Sequence, residues 1–217
     1  KAMRDATPLP VTVKHRIGVD RQDDYGFVRD FVGTLATQGG CEVFIVHARS
    51  AWLQGLSPKE NRELPPLRHD FVARLKADSP ALTFVANGGI QSGDQIALHL
   101  QQADGVMVGR HAYHEPWAMA EWDQRFFGAV PAGLQRDDVE RAMVAYLTRR
   151  AADGYPWTLA ARHMLGLWNG TPGARRWRQV WSDHRLKQQP PAAVQALATA
   201  ARLSAAVHQE SSAWSLA

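Results

Sequence analysis

The 217-residue sequence contains a single cysteine, Cys41. That excludes a disulfide framework and a zinc site built on several thiolates, and it fits reducing, cytoplasmic surroundings. No apolar run reaches the ~18 residues of a membrane span. No secretory leader opens the chain and no internal repeat is evident. The first residue is Lys1 and not a methionine, so the natural N-terminus is expected upstream. Lysine is scarce, and arginine supplies 20 of the 25 basic side chains. What is present is ordinary globular material, 45% hydrophobic and 21% charged. Wholesale disorder is thereby excluded.

Charge is unevenly spread. Residues 1–130 carry 14 Lys/Arg against 15 Asp/Glu, whereas residues 131–217 carry 11 against 6. A basic second part rich in arginine suits a polyanion, because guanidinium groups bind phosphate bidentately and stack on flat rings. A solvated helical surface has the same composition.

Four apolar runs read as buried parallel strands: Val11–His15, Val43–His47, Thr83–Ala86 and Val106–Val108. Helical periodicity lies between them, over Asp24–Gln38, Asp70–Ala77 and Ser92–Gln102, with Ser92 as N-cap. Alternating strands and helices predict a parallel α/β sheet. The chemistry-bearing residues cluster where the strands end, as they do in α/β barrels and doubly wound sheets. The last two strands end in Asn87-Gly88-Gly89 and Gly109-Arg110, matching the phosphate-binding end of a barrel. The fold class expected is therefore α/β, strands five to eight of a TIM (β/α)8 barrel over residues 1–130. After Gly128 the pattern becomes helical, with helices over Gln135–Asp153, Thr158–Trp168, a segment opened by Thr171-Pro172, and Pro191–Val207. This predicts a small all-α domain over 131–205 and a flexible tail over 206–217.

Lys14 ends a buried strand, where an ammonium either meets an anionic ring or phosphate or escapes to solvent. His47 is either a ligand-facing imidazole or a satisfied core histidine. Glycines at Asn87-Gly88-Gly89 and Gly109-Arg110 let backbone N–H groups approach an anion, and a helix starting just afterwards adds its dipole. The long segment 51–62 carries Lys59 and Arg62, with Ser57 and Glu60 set for a capping box. Arg175 and Arg178 share a helix face near Trp157, Trp168, Trp177 and Trp181, an arrangement suited to nucleic acid or to an aromatic core with a cationic rim. His111, His114 and Glu115 lack a second cluster, so no metal site is assigned. Cys41 precedes a strand and reads as a packed small residue.

Several stretches together resemble the tRNA-dihydrouridine synthases, most closely their A subfamily: P-V-T-V-K-H-R-I-G at 10–18, F-I-V-H-A-R at 44–49, A-W-L-Q-G-L-S-P-K-E-N-R-E at 51–63, N-G-G-I at 87–90, D-G-V-M-V-G-R at 104–110 and R-H-M-L-G-L at 162–167. The resemblance implies an FMN-binding barrel with a helical tRNA-binding domain, monomeric when full length. In that family NADPH reduces FMN, hydride passes to uracil C6 in the tRNA D-loop, and a cysteine protonates C5. The A subfamily is associated with uridines 20 and 20a. Carried over, Lys14 and His47 contact FMN, while Asn87, Gly88, Gly89, Gly109 and Arg110 hold its phosphate. Lys59, Arg62, Arg175 and Arg178 match tRNA-contacting cations. The proton-donating cysteine belongs to the first half of the family's barrel, so none is assigned here. The chain is expected to be a C-terminal portion, of low stability, weak in FMN binding and inactive alone. A flavin barrel reducing a small pyrimidine or enone, and a non-enzymatic RNA-binding remnant, are the competing readings.

Overall fold

A computed structural model describes residues 1–131 and 133–214, with side chains up to Val207 in the last helix. Two compact units are present, Lys1–Gly109 and Arg110–Ala217.

The first unit opens with helix α1 (Ala2–Ala6) and alternates strand and helix: β1 (Val13–Arg16), α2 (Tyr25–Thr37), β2 (Val43–His47), α3 (His69–Asp78), β3 (Thr83–Asn87), α4 (Gly93–Leu100) and β4 (Gly105–Met107). The four strands lie in chain order and every pairing is parallel. Strand side chains alternate between the two faces. Phe44, Val46, Phe84 and Ala86 point to one face and pack with Val28 and Val32 of α2 and Phe71, Val72 and Leu75 of α3. Asp24 caps α2 by accepting from the Phe27 amide at 3.0 Å. Ser92 caps α4 by accepting from the Gln95 amide at 3.2 Å. Cys41 is buried beside the Val43 carbonyl at 3.4 Å, consistent with a packing role.

The elements described in the second unit are α5 (Arg110–His114), a 3-10 segment (Pro116–Glu121), α6 (Trp122–Phe127), α7 (Arg136–Ala152), α8 (Thr158–Ala161), a 3-10 turn (Arg162–Met164), α9 (Ala174–Trp181), a second turn (His184–Leu186) and α10 (Pro191–Trp214). The units divide at Gly109, well before the change of character at Gly128. The reason is local: the end of α5 is tied to Asn169, whose Nδ2 donates to the His114 carbonyl at 2.8 Å. Gly166 approaches that same carbonyl so closely that an added Cβ would sit 2.2 Å from it.

Two helix expectations need correction. The segment from Thr158 changes at Arg162 to a 3-10 turn. The helix expected to open at Thr171-Pro172 begins at Ala174 with Gly173 as its N-cap, at φ 76°. The Thr171 hydroxyl donates back to the Trp168 carbonyl at 2.8 Å, and the Gly173 N-cap has no side-chain cap. Gly173 lies against the Arg202 carbonyl, where a Cβ would be 2.1 Å away. The tail expected from residue 206 is helical to Trp214, and residues 215–217 lie outside the described residues.

Glu140, only 1% exposed, lies among the apolar residues of this unit. Its carboxylate accepts three indole N–H groups, from Trp168 at 2.9 Å, Trp177 at 2.8 Å and Trp181 at 3.4 Å. A buried carboxylate is tolerated when donors surround it. Glu140→Leu leaves the indoles without that acceptor, and unfolding followed by tryptophan fluorescence is expected to show a loss of about 3 kcal/mol or more. Glu140→Gln keeps one carbonyl oxygen and costs less.

His15 lies on the helix-covered face, with Phe31 and Phe44 rings 5.0 and 6.1 Å away. Its Nδ1 donates to the Arg16 carbonyl at 2.9 Å and its Nε2 is buried without a partner. Burial pushes its pKa down, the Arg16 carbonyl opposes this, and the Lys14 charge adds to the lowering. The unfolded state therefore binds more protons, so stability falls as pH drops through the ordinary imidazole value near ~6.5. The unfolding midpoint of the sheet unit is expected to fall between about pH 7.5 and 5, and His15→Leu to flatten that dependence.

Candidate functional site

Parallel register brings the strand ends together. Arg16 pairs with His47 and His47 with Asn87, while Asn87 pairs with Met107. One layer deeper, Lys14 pairs with Ile45, Ile45 with Val85, and Val85 with Gly105. Both rows lie on the face opposite the Phe44–Phe84 core, and all their members stay half-buried or exposed. Lys14, His47 and Asn87, singled out separately in the sequence, thus occupy one face of one sheet.

The Asn87 side chain donates Nδ2 to the Met107 carbonyl at 2.7 Å and ties β3 to β4. Gly88 and Gly89 follow with φ of 112° and 68°, conformations that side chains resist. A Cβ at Gly88 would lie 2.6 Å from His47 Cδ2, so the imidazole packs directly on this turn. Around Gly109 a Cβ would meet nothing within 4 Å, which leaves its backbone open to a ligand. Arg110 is the first residue of α5, in the second unit.

His69, which the sequence reading did not single out, holds the glycine turn. Its Nε2 is 2.9 Å from the Gly88 carbonyl. A carbonyl only accepts, so Nε2 carries the hydrogen and Nδ1 is bare; that Nδ1 is buried without a partner. The His99 ring lies 4.1 Å away, centroid to centroid. Burial is the main cause that lowers the pKa of His69, with the charges of His99 and Arg49 adding to it. An isolated histidine at the start of a helix carries no sequence signal for this role.

The edge of the face is cationic. Lys14 is held below its ordinary pKa by partial burial and then by Arg16. Arg16 is lowered by burial and by the nearby Arg49 and Arg62. No carboxylate pairs with Lys14 among the described residues. The long segment after β2 is pinned from this edge: Arg16 donates to the Ser50 and Asn61 carbonyls at 2.7 and 2.8 Å, and Arg49 to those of Glu63, at 2.8 Å, and Pro65. The Ser57–Glu60 capping box is present, with the Ser57 amide donating to Glu60 Oε2 at 2.8 Å and the Glu60 amide to Ser57 Oγ at 3.3 Å. It precedes the single turn Glu60–Arg62, and Lys59 and Arg62 are exposed there.

In the second unit Arg175 is exposed on α9, and Arg178 is half-buried with one N–H donated to Asn169 Oδ1. Trp157, Trp168, Trp177 and Trp181 are all core. No group of three potential metal ligands comes together among the described residues.

A family model described as "Dihydrouridine synthase (Dus)" matches residues 1–204. The chain belongs to the dihydrouridine synthase family. Proteins named tRNA-dihydrouridine(20/20a) synthase from Salmonella typhi and Escherichia coli (strain K12) are each 51% identical to it, over 89% and 86% of this chain. The alignments cover 58% and 54% of those proteins. One of the same name from Vibrio cholerae is 48% identical over 86% of this chain and 57% of its own length. The chain thus spans a little over half the length of these relatives. The resemblance read from its motifs is borne out, and the dihydrouridine synthase motifs at 10–18, 44–49 and 87–90 are the ones that build the sheet face described above.

Gly88→Ala is expected to cost about 1–3 kcal/mol, from backbone strain at positive φ and the clash with His47. Denaturant unfolding measures the cost, and a shift of the His47 Cδ2–H resonance reports the displaced ring.

Proposed function

We propose that this chain carries the flavin-facing and tRNA-facing part of an FMN-dependent tRNA-dihydrouridine synthase. Its four strands correspond to the last four of a (β/α)8 barrel, and the helices after Gly109 to a tRNA-binding domain. The observation that supports this best is the uncovered row Lys14–Ile45–Val85 beneath Arg16–His47–Asn87, with the Gly88-Gly89 turn at its end.

The residues present fit a phosphorylated flat cofactor. Ile45 and Val85 offer an apolar floor, Lys14 and Arg16 a positive edge, and His47 an imidazole packed on the glycine turn. Gly88 and Gly89 carry no Cβ of their own in a turn packed against His47 and Leu67, and Gly109 is open within 4 Å of where a Cβ would sit, so their backbone amides are the ones available to a phosphate. FMN bound there would supply the two-electron reduction of the uracil C5=C6 bond, with NADPH as the source of electrons. Lys14 would hold positive charge at the edge of such a cofactor. His69 keeps the glycine turn in position through the Gly88 carbonyl. Cys41 is buried away from this face, so no proton donor is assigned to the chain.

A uracil reaches such a face only when it leaves its stack, which the tRNA D-loop permits at low cost. The names of the relatives point to uridines 20 and 20a. Lys59, Arg62, Arg175 and Arg178 are assigned to tRNA phosphates, and the protein to a monomer acting in the cytoplasm. A flavin barrel reducing a small pyrimidine has no use for these cations.

The test uses a strain lacking dihydrouridine at positions 20 and 20a. A chimaera in which this chain replaces the matching segment of the Escherichia coli relative is expected to restore it, read by mass spectrometry of tRNA. Lys14→Ala in that protein is expected to lower the rate about 10-fold or more. Failure of the unaltered chimaera to restore dihydrouridine overturns the proposal.

A further inference from the structure

The second unit contains a cleft of about 230 Å³ lined by Tyr113, His114, Arg162, His163, Asn169 and Arg178 among others. It is smaller than the ~300–1,000 Å³ of clefts that enclose drug-sized ligands, so it suits one small polar group. Its chemistry follows from the direction of its hydrogen bonds. Arg162 Nε donates to His163 Nε2 at 3.2 Å, so that nitrogen presents a lone pair and the ring hydrogen is on Nδ1. His163 Nδ1 lies 2.9 Å from the Tyr113 hydroxyl and donates to it. The Tyr113 O–H hydrogen is thereby left for a further acceptor.

Asn169 is used from both ends. Its Oδ1 accepts from Arg178, while its Nδ2 donates to the His114 carbonyl at 2.8 Å and to Glu115 Oε1 at 3.1 Å. The neighbouring carboxylate, Glu115, is not a lining residue. His163 Nε2 and Asn169 Oδ1 thus accept from donors within the wall, which leaves the His114 imidazole, able to offer an N–H or a lone pair, as the remaining ring on the wall. What remains is a surplus of donors: the Tyr113 hydroxyl, the outer N–H groups of Arg162 and those of Arg178. Donor surplus and two guanidinium groups in a small cleft select an anion with several oxygens.

We propose that this cleft is a phosphate-binding site that seats one backbone phosphodiester of RNA. The RNA source rests on the proposed function above, whereas the anion site rests only on the cleft. Arg162 and Arg178 grip the phosphate oxygens, and Tyr113, held by the His163–Arg162 relay, donates a hydrogen bond.

The experiment measures binding of an unmodified tRNA transcript to the full chain over a range of salt. The proteins are the wild type, Arg162→Gln, Tyr113→Phe and, as a control, Arg176→Gln. Arg176 is exposed on α9 outside the cleft and donates to Gln179 at 3.3 Å. Arg162→Gln is expected to weaken tRNA binding about tenfold and to reduce the slope of log K against log salt by about 0.7–0.9. Tyr113→Phe weakens binding with little change of slope, and Arg176→Gln weakens it less than Arg162→Gln does. Equal binding by the wild type and both cleft variants overturns the cleft site and leaves the proposed function standing. No tRNA binding by the wild type overturns the RNA source together with that function. If inorganic phosphate alone then shifts the His163 ring resonances, and Arg162→Gln abolishes the shift, the cleft belongs to a free phosphate and the RNA assignment fails.

Discussion

The parallel register of four strands is the constraint on which the candidate site depends. Because each strand end is offset to pair with its neighbour, Arg16, His47 and Asn87 lie side by side without any direct bond among them being needed. The alternation of the pleat then separates two environments. One face buries Phe44, Val46, Phe84 and Ala86 under α2 and α3 and supplies the hydrophobic stabilisation. The other collects the cations and the imidazole. A slip of one residue in the β1–β2 pairing would exchange the faces of β1 and put Lys14 into the core. The apolar core therefore enforces the polar site, even though the two share no side chain.

The glycine turn after β3 joins this register to the chemistry. Gly88 and Gly89 have left-handed backbones, His47 packs on the first of them, and His69 holds its carbonyl from the opposite helix. Arg16 and Arg49, which also sit at strand ends, spend N–H groups on loop carbonyls from Ser50 to Pro65. They build the segment that presents Lys59 and Arg62. In the second unit the corresponding structural device is Glu140. One buried carboxylate orients three indoles and so sets the surface on which Arg175 and Arg178 lie.

The strands were legible because buried parallel strands demand short apolar, β-branched runs, and Val43–His47 is placed as expected. The capping box at Ser57–Glu60 was legible for the same reason: its signal lies within four residues. Roles that depend on distant partners were not. Glu140 meets tryptophans 28, 37 and 41 residues away, and no local pattern marks that convergence. His69, on α3, gains its role from the Gly88 carbonyl in the turn after β3, 19 residues away. The start of α9 lies beyond Thr171-Pro172 because Gly173 takes a left-handed backbone against the Arg202 carbonyl, a contact 29 residues away in sequence that no local pattern marks. The division at Gly109 was missed because α5 and α6 are too short for periodicity to show and are assigned by what they pack against.

We propose that the sheet face opposite α2 and α3 binds the flavin phosphate at its glycine-rich end. Titrating FMN into the isotope-labelled chain, with amide resonances followed by NMR, tests it most directly, because even weak binding moves the shifts of the residues touched. The largest changes are expected on Gly88, Gly89 and Gly109, with the His47 ring following. Changes confined to the helix-covered side of the sheet, or absent from all three glycines at saturating FMN, would contradict it.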